Sequence, residues 1–76
     1  MSIVARNVEL IIREDGLKKK TVAEKAGFSQ KEFSAMLHGR KLILAEYVIP
    51  IANALGKTPN DLFGFIPTSQ KKEVTP

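Results

Sequence analysis

The 76-residue chain carries twelve Lys and Arg against eight Asp and Glu, a formal net charge of +4, with 43% hydrophobic residues, one His and no Cys. That length holds one domain at most, with a core small enough to leave it marginally stable. The inventory excludes disulfides and a Cys/His zinc site, and no carboxylate spacing points to another metal. The start of the chain lacks the basic and apolar segments of a signal peptide. The longest apolar stretch, Leu42 to Leu55, is interrupted by Glu46, Pro50 and Asn53, too short and broken to span a bilayer. A cytoplasmic protein is expected.

The predicted elements are all helical. Val4, Val8, Ile11 and Ile12 recur at the spacing of one helix face, which predicts a first helix from Ile3 to Glu14, stopped at Gly16. Val22, Ala23 and Ala26 form a narrow face of small residues, predicting a short second helix from Lys19 to Ala26 with Gly27 as its stop. Ser29 then stands as an N-cap, with Glu32 three residues on to complete a capping box. The third helix runs from Gln30 to about Leu37 and buries Phe33, Met36 and Leu37; Gly39 ends it. Val48, Ile51, Ala52 and Leu55 predict a fourth helix starting near Glu46, so that Pro50 falls just inside it, with Gly56 as the stop. Thr58-Pro59-Asn60-Asp61 reads as cap, first-turn proline and first-turn carboxylate, opening a short fifth helix that Gly64 stops. Residues 1–66 are read as one domain and residues 67–76, polar and aperiodic, as a disordered tail.

Charge is unevenly placed. Between Lys18 and Lys41 stand seven cations (Lys18, Lys19, Lys20, Lys25, Lys31, Arg40, Lys41) against two anions (Glu24, Glu32), a surplus of +5. The rest of the chain carries five cations and six anions. A basic surplus confined to one segment is the footprint of a polyanion-binding face. The same segment holds two short helices meeting at a tight turn. Ala23 supplies the small contact point for a steep crossing, Gly27 the left-handed turn residue, and Val22, Phe28, Phe33 and Met36 or Leu37 the anchors, as a helix-turn-helix needs.

Val22-Ala23-Glu24-Lys25-Ala26-Gly27-Phe28-Ser29-Gln30, with His38-Gly39-Arg40-Lys41 after it, resembles the helix-turn-helix of the lambda-repressor and Cro family, which includes the xenobiotic response element-like regulators. The stretch from Ile51 to Phe63 is similar to that family's last two helices, so the resemblance covers residues 4–64. It implies an all-α, compact five-helix fold with the helix-turn-helix formed by helices 2 and 3. It also implies duplex DNA as partner and commonly a homodimer on a palindromic site. Three departures matter, one of them Leu44-Ala45 in place of the usual Pro-Ser start of the fourth helix. Lys18 and Lys19 stand where many members have Ser or Gln. Ile12 and Leu37 stand where many pair an Arg with a Glu, which predicts an apolar contact in place of an ion pair.

Mapped onto this sequence, the resemblance assigns base-edge contacts to Gln30, Lys31, Ser34 and Ala35 on the exposed face of the third helix: Gln bonds adenine, Lys reaches guanine acceptors, and Ala touches a thymine methyl. Ser29, Lys19, Lys20, His38, Arg40 and Lys41 flank that helix as phosphate contacts. The blander readings are a solvated helix start for Lys18 to Lys20, a helix former for Ala35, and a cap or surface residue for His38. Phe63 is expected to close the core, while Phe65 and Ile66 are weighed as a dimer or partner surface. Tyr47 and Ile43 fit either role.

The expectation is a sequence-specific transcriptional regulator of bacterial or phage type, acting as a repressor and homodimer without a cofactor. The alternative is a protein-interaction module, antitoxin-like or antirepressor-like, meeting a protein partner through its C-terminal apolar stretch. An enzyme is not expected: the sequence shows no nucleophile, acid–base pair or phosphate loop.

Overall fold

Local chemistry sets several of the helix ends. The computed structural model describes residues 2–64 and holds α1 (Ile3–Glu14), α2 (Lys19–Ala26), α3 (Gln30–Leu37), α4 (Ala45–Leu55) and α5 (Pro59–Gly64), with no strand among the described residues. Ser2 caps α1, its hydroxyl accepting the Ala5 N–H at 3.0 Å. At the end of α2, Gly27 takes φ +89°, and the Phe28 N–H turns back to the Ala23 carbonyl at 2.9 Å. Gly39 repeats the device after α3 with φ +79°, and the Arg40 N–H reaches the Ala35 carbonyl at 2.8 Å. Both bonds satisfy carbonyls that a helix end leaves orphaned.

The last two helices depart from expectation in three ways. Helix α4 starts at Ala45, one residue early, and its N-cap Leu44 offers no capping side chain. Pro50 is therefore the sixth helical residue, beyond the first turn, and lacks the N–H that would bond the Glu46 carbonyl. Gly64 is the last residue of α5 and is not left-handed. Ahead of α5, the Thr58 N–H donates to the Asp61 carboxylate at 3.0 Å, and the Asp61 N–H returns to the Thr58 hydroxyl at 3.4 Å.

The core forms where these helices cross. Helix α2 packs on α4 and α3, α1 on α5 and α3, and α4 on α5. The largest fully buried side chains are Phe33, Ile11, Met36, Leu37, Ile51 and Leu62. Burial of each contributes about 1.5–3 kcal/mol. Ile12 and Leu37 are both buried in the single apolar cluster, the setting expected of an apolar pair at those positions.

Two assignments change, and one buried polar residue is added. Phe63 is 53% exposed and does not close the core; Leu62, fully buried, takes that place. A six-residue helix turns only one narrow face inward, and here that face carries Leu62. Phe28 is half-buried, and its ring meets Tyr47 edge-on with centroids 5.0 Å apart. The sequence pattern also hid Asn7, which is buried and whose Nδ2 donates to the Leu62 carbonyl at 2.8 Å. This bond ties α5 to α1 and satisfies a carbonyl in the last turn of a short helix. The end of the expected domain, including Phe65 and Ile66, and the expected tail at 67–76 lie outside the described residues. Among the described residues no helix is long and apolar enough to cross a membrane.

Candidate nucleic-acid interface

The geometry of the interface is set by the turn between α2 and α3. Ala23 is fully buried at the crossing and Gly27 makes the turn. A Cβ built on Gly27 would meet nothing within 4 Å. The demand for glycine is therefore conformational, since left-handed backbone costs an L-residue roughly 1–2 kcal/mol. Helix α3 then lies with Phe33, Met36 and Leu37 in the core; rotation by 100° per residue turns Lys31 outward, while Gln30 is exposed at the first position of the helix.

The start of α3 is fixed by the capping box. The Ser29 N–H donates to Glu32 Oε1, and the Glu32 N–H donates to Ser29 Oγ, both at 3.0 Å. The hydrogen bonds from the Ser29 backbone, and secondarily its side chain, hold the Glu32 carboxyl below its ordinary value of 4.5; the positive charge of Lys41 adds to this. Both polar groups of Ser29 are thus engaged within the box.

At the other end of α3, His38 closes the helix. Its Nδ1 lies 2.8 Å from the Ser34 carbonyl and 3.3 Å from the Ser34 hydroxyl. A carbonyl only accepts, so Nδ1 carries the proton and Nε2 is directed elsewhere. The N–H groups of Arg40 and Lys41 both return to the Ala35 carbonyl, at 2.8 and 3.2 Å, which folds the loop back beside the end of α3.

The structure places the expected residues unevenly. Gln30 and Lys31 are exposed, whereas Ser34 and Ala35 are half-buried along the same helix. Lys20, Ser29, His38, Arg40 and Lys41 are exposed around it. Lys19 is exposed but not free: its Nζ lies 2.9 Å from Glu9 Oε2 on α1. No sequence spacing signals that pair, because the partners lie on different helices. Helix α2 has no side-chain cap, since Lys18 makes no such hydrogen bond. Among the described residues, no group of three or more His, Cys, Asp or Glu is placed to hold a metal.

No curated protein matches the chain. The family described as the Cro/C1-type HTH DNA-binding domain matches residues 7–68, a span containing the last two thirds of α1 and the whole of α2 to α5. With a glycine-turned helix pair, a third helix bared on its polar side and a sequence match across that whole unit, the chain belongs to the Cro/C1-type helix-turn-helix DNA-binding family.

Proposed function

We propose that this chain is a sequence-specific, double-stranded DNA-binding transcriptional regulator that represses by occupying its site, with α3 inserted in the major groove. The observation that carries the reading is the polar side of α3. Gln30, at the helix start, and Lys31 are exposed on a helix that holds Phe33, Met36 and Leu37 in the core. In sequence, cations flank it, Lys20 on α2 before and Arg40 and Lys41 after. Gln30, Lys31, Ser34 and Ala35 read base edges. Lys20, Arg40 and Lys41 neutralise phosphates, joined by Lys19 once Glu9 yields, by Ser29 through its hydroxyl proton and by His38 through Nε2.

A homodimer on a palindrome fits the second surface of the molecule. Ile49 on α4 is 60% exposed and Phe63 on α5 53% exposed, an apolar display that also favours the second reading, a module whose main partner is another protein.

Selection of bound sites from a random duplex pool separates the two. The regulator enriches a palindrome, and its affinity falls with salt at a log–log slope of about −0.9 per phosphate contacted. Gln30→Ala relaxes preference at one base pair per half-site, at a cost of about 1–3 kcal/mol, while Lys20→Ala weakens every sequence alike. Unchanged preference in Gln30→Ala sinks this reading face, and a flat salt response favours the interaction module.

A further inference from the structure

Of the seven cations between Lys18 and Lys41, Lys19 is the one that, among the described residues, lies within ion-pair distance of a carboxylate. Its Nζ is 2.9 Å from Glu9 Oε2, and the two side chains are 45% and 23% exposed. Lys19 is also the first residue of α2, a helix start with no side-chain cap. The carboxylate therefore occupies the cation that opens α2.

We propose that Glu9 is a built-in competitor for the phosphate assigned to Lys19, holding DNA affinity and salt sensitivity below what the basic segment would otherwise give. The proposal rests on the DNA-facing reading of α2. An exposed pair of this kind is weakly held, so a duplex phosphate displaces the carboxylate rather than being shut out. The exchange has a particular ionic consequence. A free lysine that neutralises a phosphate releases a cation condensed on the DNA. A lysine already neutralised by Glu9 leaves behind a bare carboxylate close to the duplex, and that carboxylate takes a cation back from solution. Net release at this contact falls towards zero. A carboxylate that merely aimed Lys19 at the phosphate would act with the opposite sign, because its removal would weaken binding.

The test is binding of the full chain to a labelled 30-base-pair duplex of random sequence by fluorescence anisotropy, across about 25 to 200 mM NaCl. Glu9→Gln keeps the side-chain shape, and thermal melting checks that each variant folds. In Glu9→Gln, affinity at the lowest salt rises about three- to tenfold, and the log–log slope steepens by about 0.9. The gain disappears when Lys19→Met is added. Glu14→Gln, which removes the same charge from an exposed site on α1, gains less. Independently, Lys19→Met alone barely changes the slope, whereas Lys20→Met lowers it by about 0.9. The proposal is overturned by unchanged or weaker binding in Glu9→Gln, by a gain that survives Lys19→Met, or by equal slopes lost in Lys19→Met and Lys20→Met. Absence of salt-dependent binding in every variant overturns the DNA-binding reading itself, and this proposal with it.

Discussion

Helices α2 and α3 and helices α4 and α5 bury side chains of the same kind, yet they finish differently at the surface. Neither α2 nor α3 exposes a large apolar side chain, whereas α4 exposes Ile49 and α5 exposes Phe63. Cations fill the surface of the first pair instead. Capping does not separate the pairs: α3 and α5 each open on reciprocal hydrogen bonds, whereas α2 and α4 have no side-chain cap, and α4 alone carries a proline in its interior. The first pair is a water-compatible display suited to a polyanion. The other pair exposes Ile49 and Phe63, and the proposed homodimer is assigned to that pair.

The sharpest way to break this contrast is to truncate one phenylalanine from each half. Phe33 is 1% exposed and Phe63 53% exposed. Phe33→Ala removes a packed ring and is expected to cost about 3–5 kcal/mol. A domain of this size has about 4–11 kcal/mol in total, so circular dichroism should find the variant largely unfolded or melting far lower. Phe63→Ala should shift monomer stability by less than about 0.5 kcal/mol. Analytical ultracentrifugation should instead show weakened self-association. Comparable losses of stability in both variants would erase the distinction between the halves.

A smaller effect tests how the second pair is held to α1. Asn7→Ala leaves the Leu62 carbonyl without the bond it now receives at 2.8 Å. The expected cost is about 1–3 kcal/mol, the penalty for a buried acceptor left unmade. Urea denaturation measures it. Hydrogen exchange should show α5 loosening before α2 and α3 do, since the lost bond belongs to the attachment of α5.

The same contrast explains what could be read from the residues alone. The bounds of α1, α2 and α3 follow from signals lying within a few residues of each end: Gly16, Gly27, the Ser29–Glu32 pair and Gly39. Their buried faces follow from helical spacing. Phe63 misled because its hydrophobicity is visible in the sequence, whereas the rotation of a one-turn helix against α1 is not. Asn7 was hidden for the converse reason: a polar residue in an amphipathic pattern reads as solvated unless its distant acceptor is known. Pro50 suggested a later helix start than the structure has, because packing of Val48, Ile51 and Leu55 outweighs one missing hydrogen bond. At the candidate interface, the outward side of α3 was legible from periodicity. The partners that qualify it were not, since Glu9 reaches Lys19 only through the packing of one helix beside another.

The smallest expected effect concerns the capping box itself, and it has a definite sign in pH. The Glu32 carboxyl titrates below its ordinary value of 4.5, chiefly because the Ser29 amide donates to the charged form. A depressed folded-state value means that the ionised carboxylate stabilises the folded chain. That contribution is fully present above the unfolded value and is lost as pH falls through the folded one. Glu32→Gln keeps an acceptor for the Ser29 N–H but removes the charge. The wild-type melting temperature should therefore exceed that of Glu32→Gln by a constant small margin from about pH 7 down to about pH 5.5, and the margin should shrink below pH 4.5. An equal margin at pH 3 and pH 7 would show that the charge contributes nothing, leaving the capping box as a purely geometric lock on the helix proposed to enter the groove.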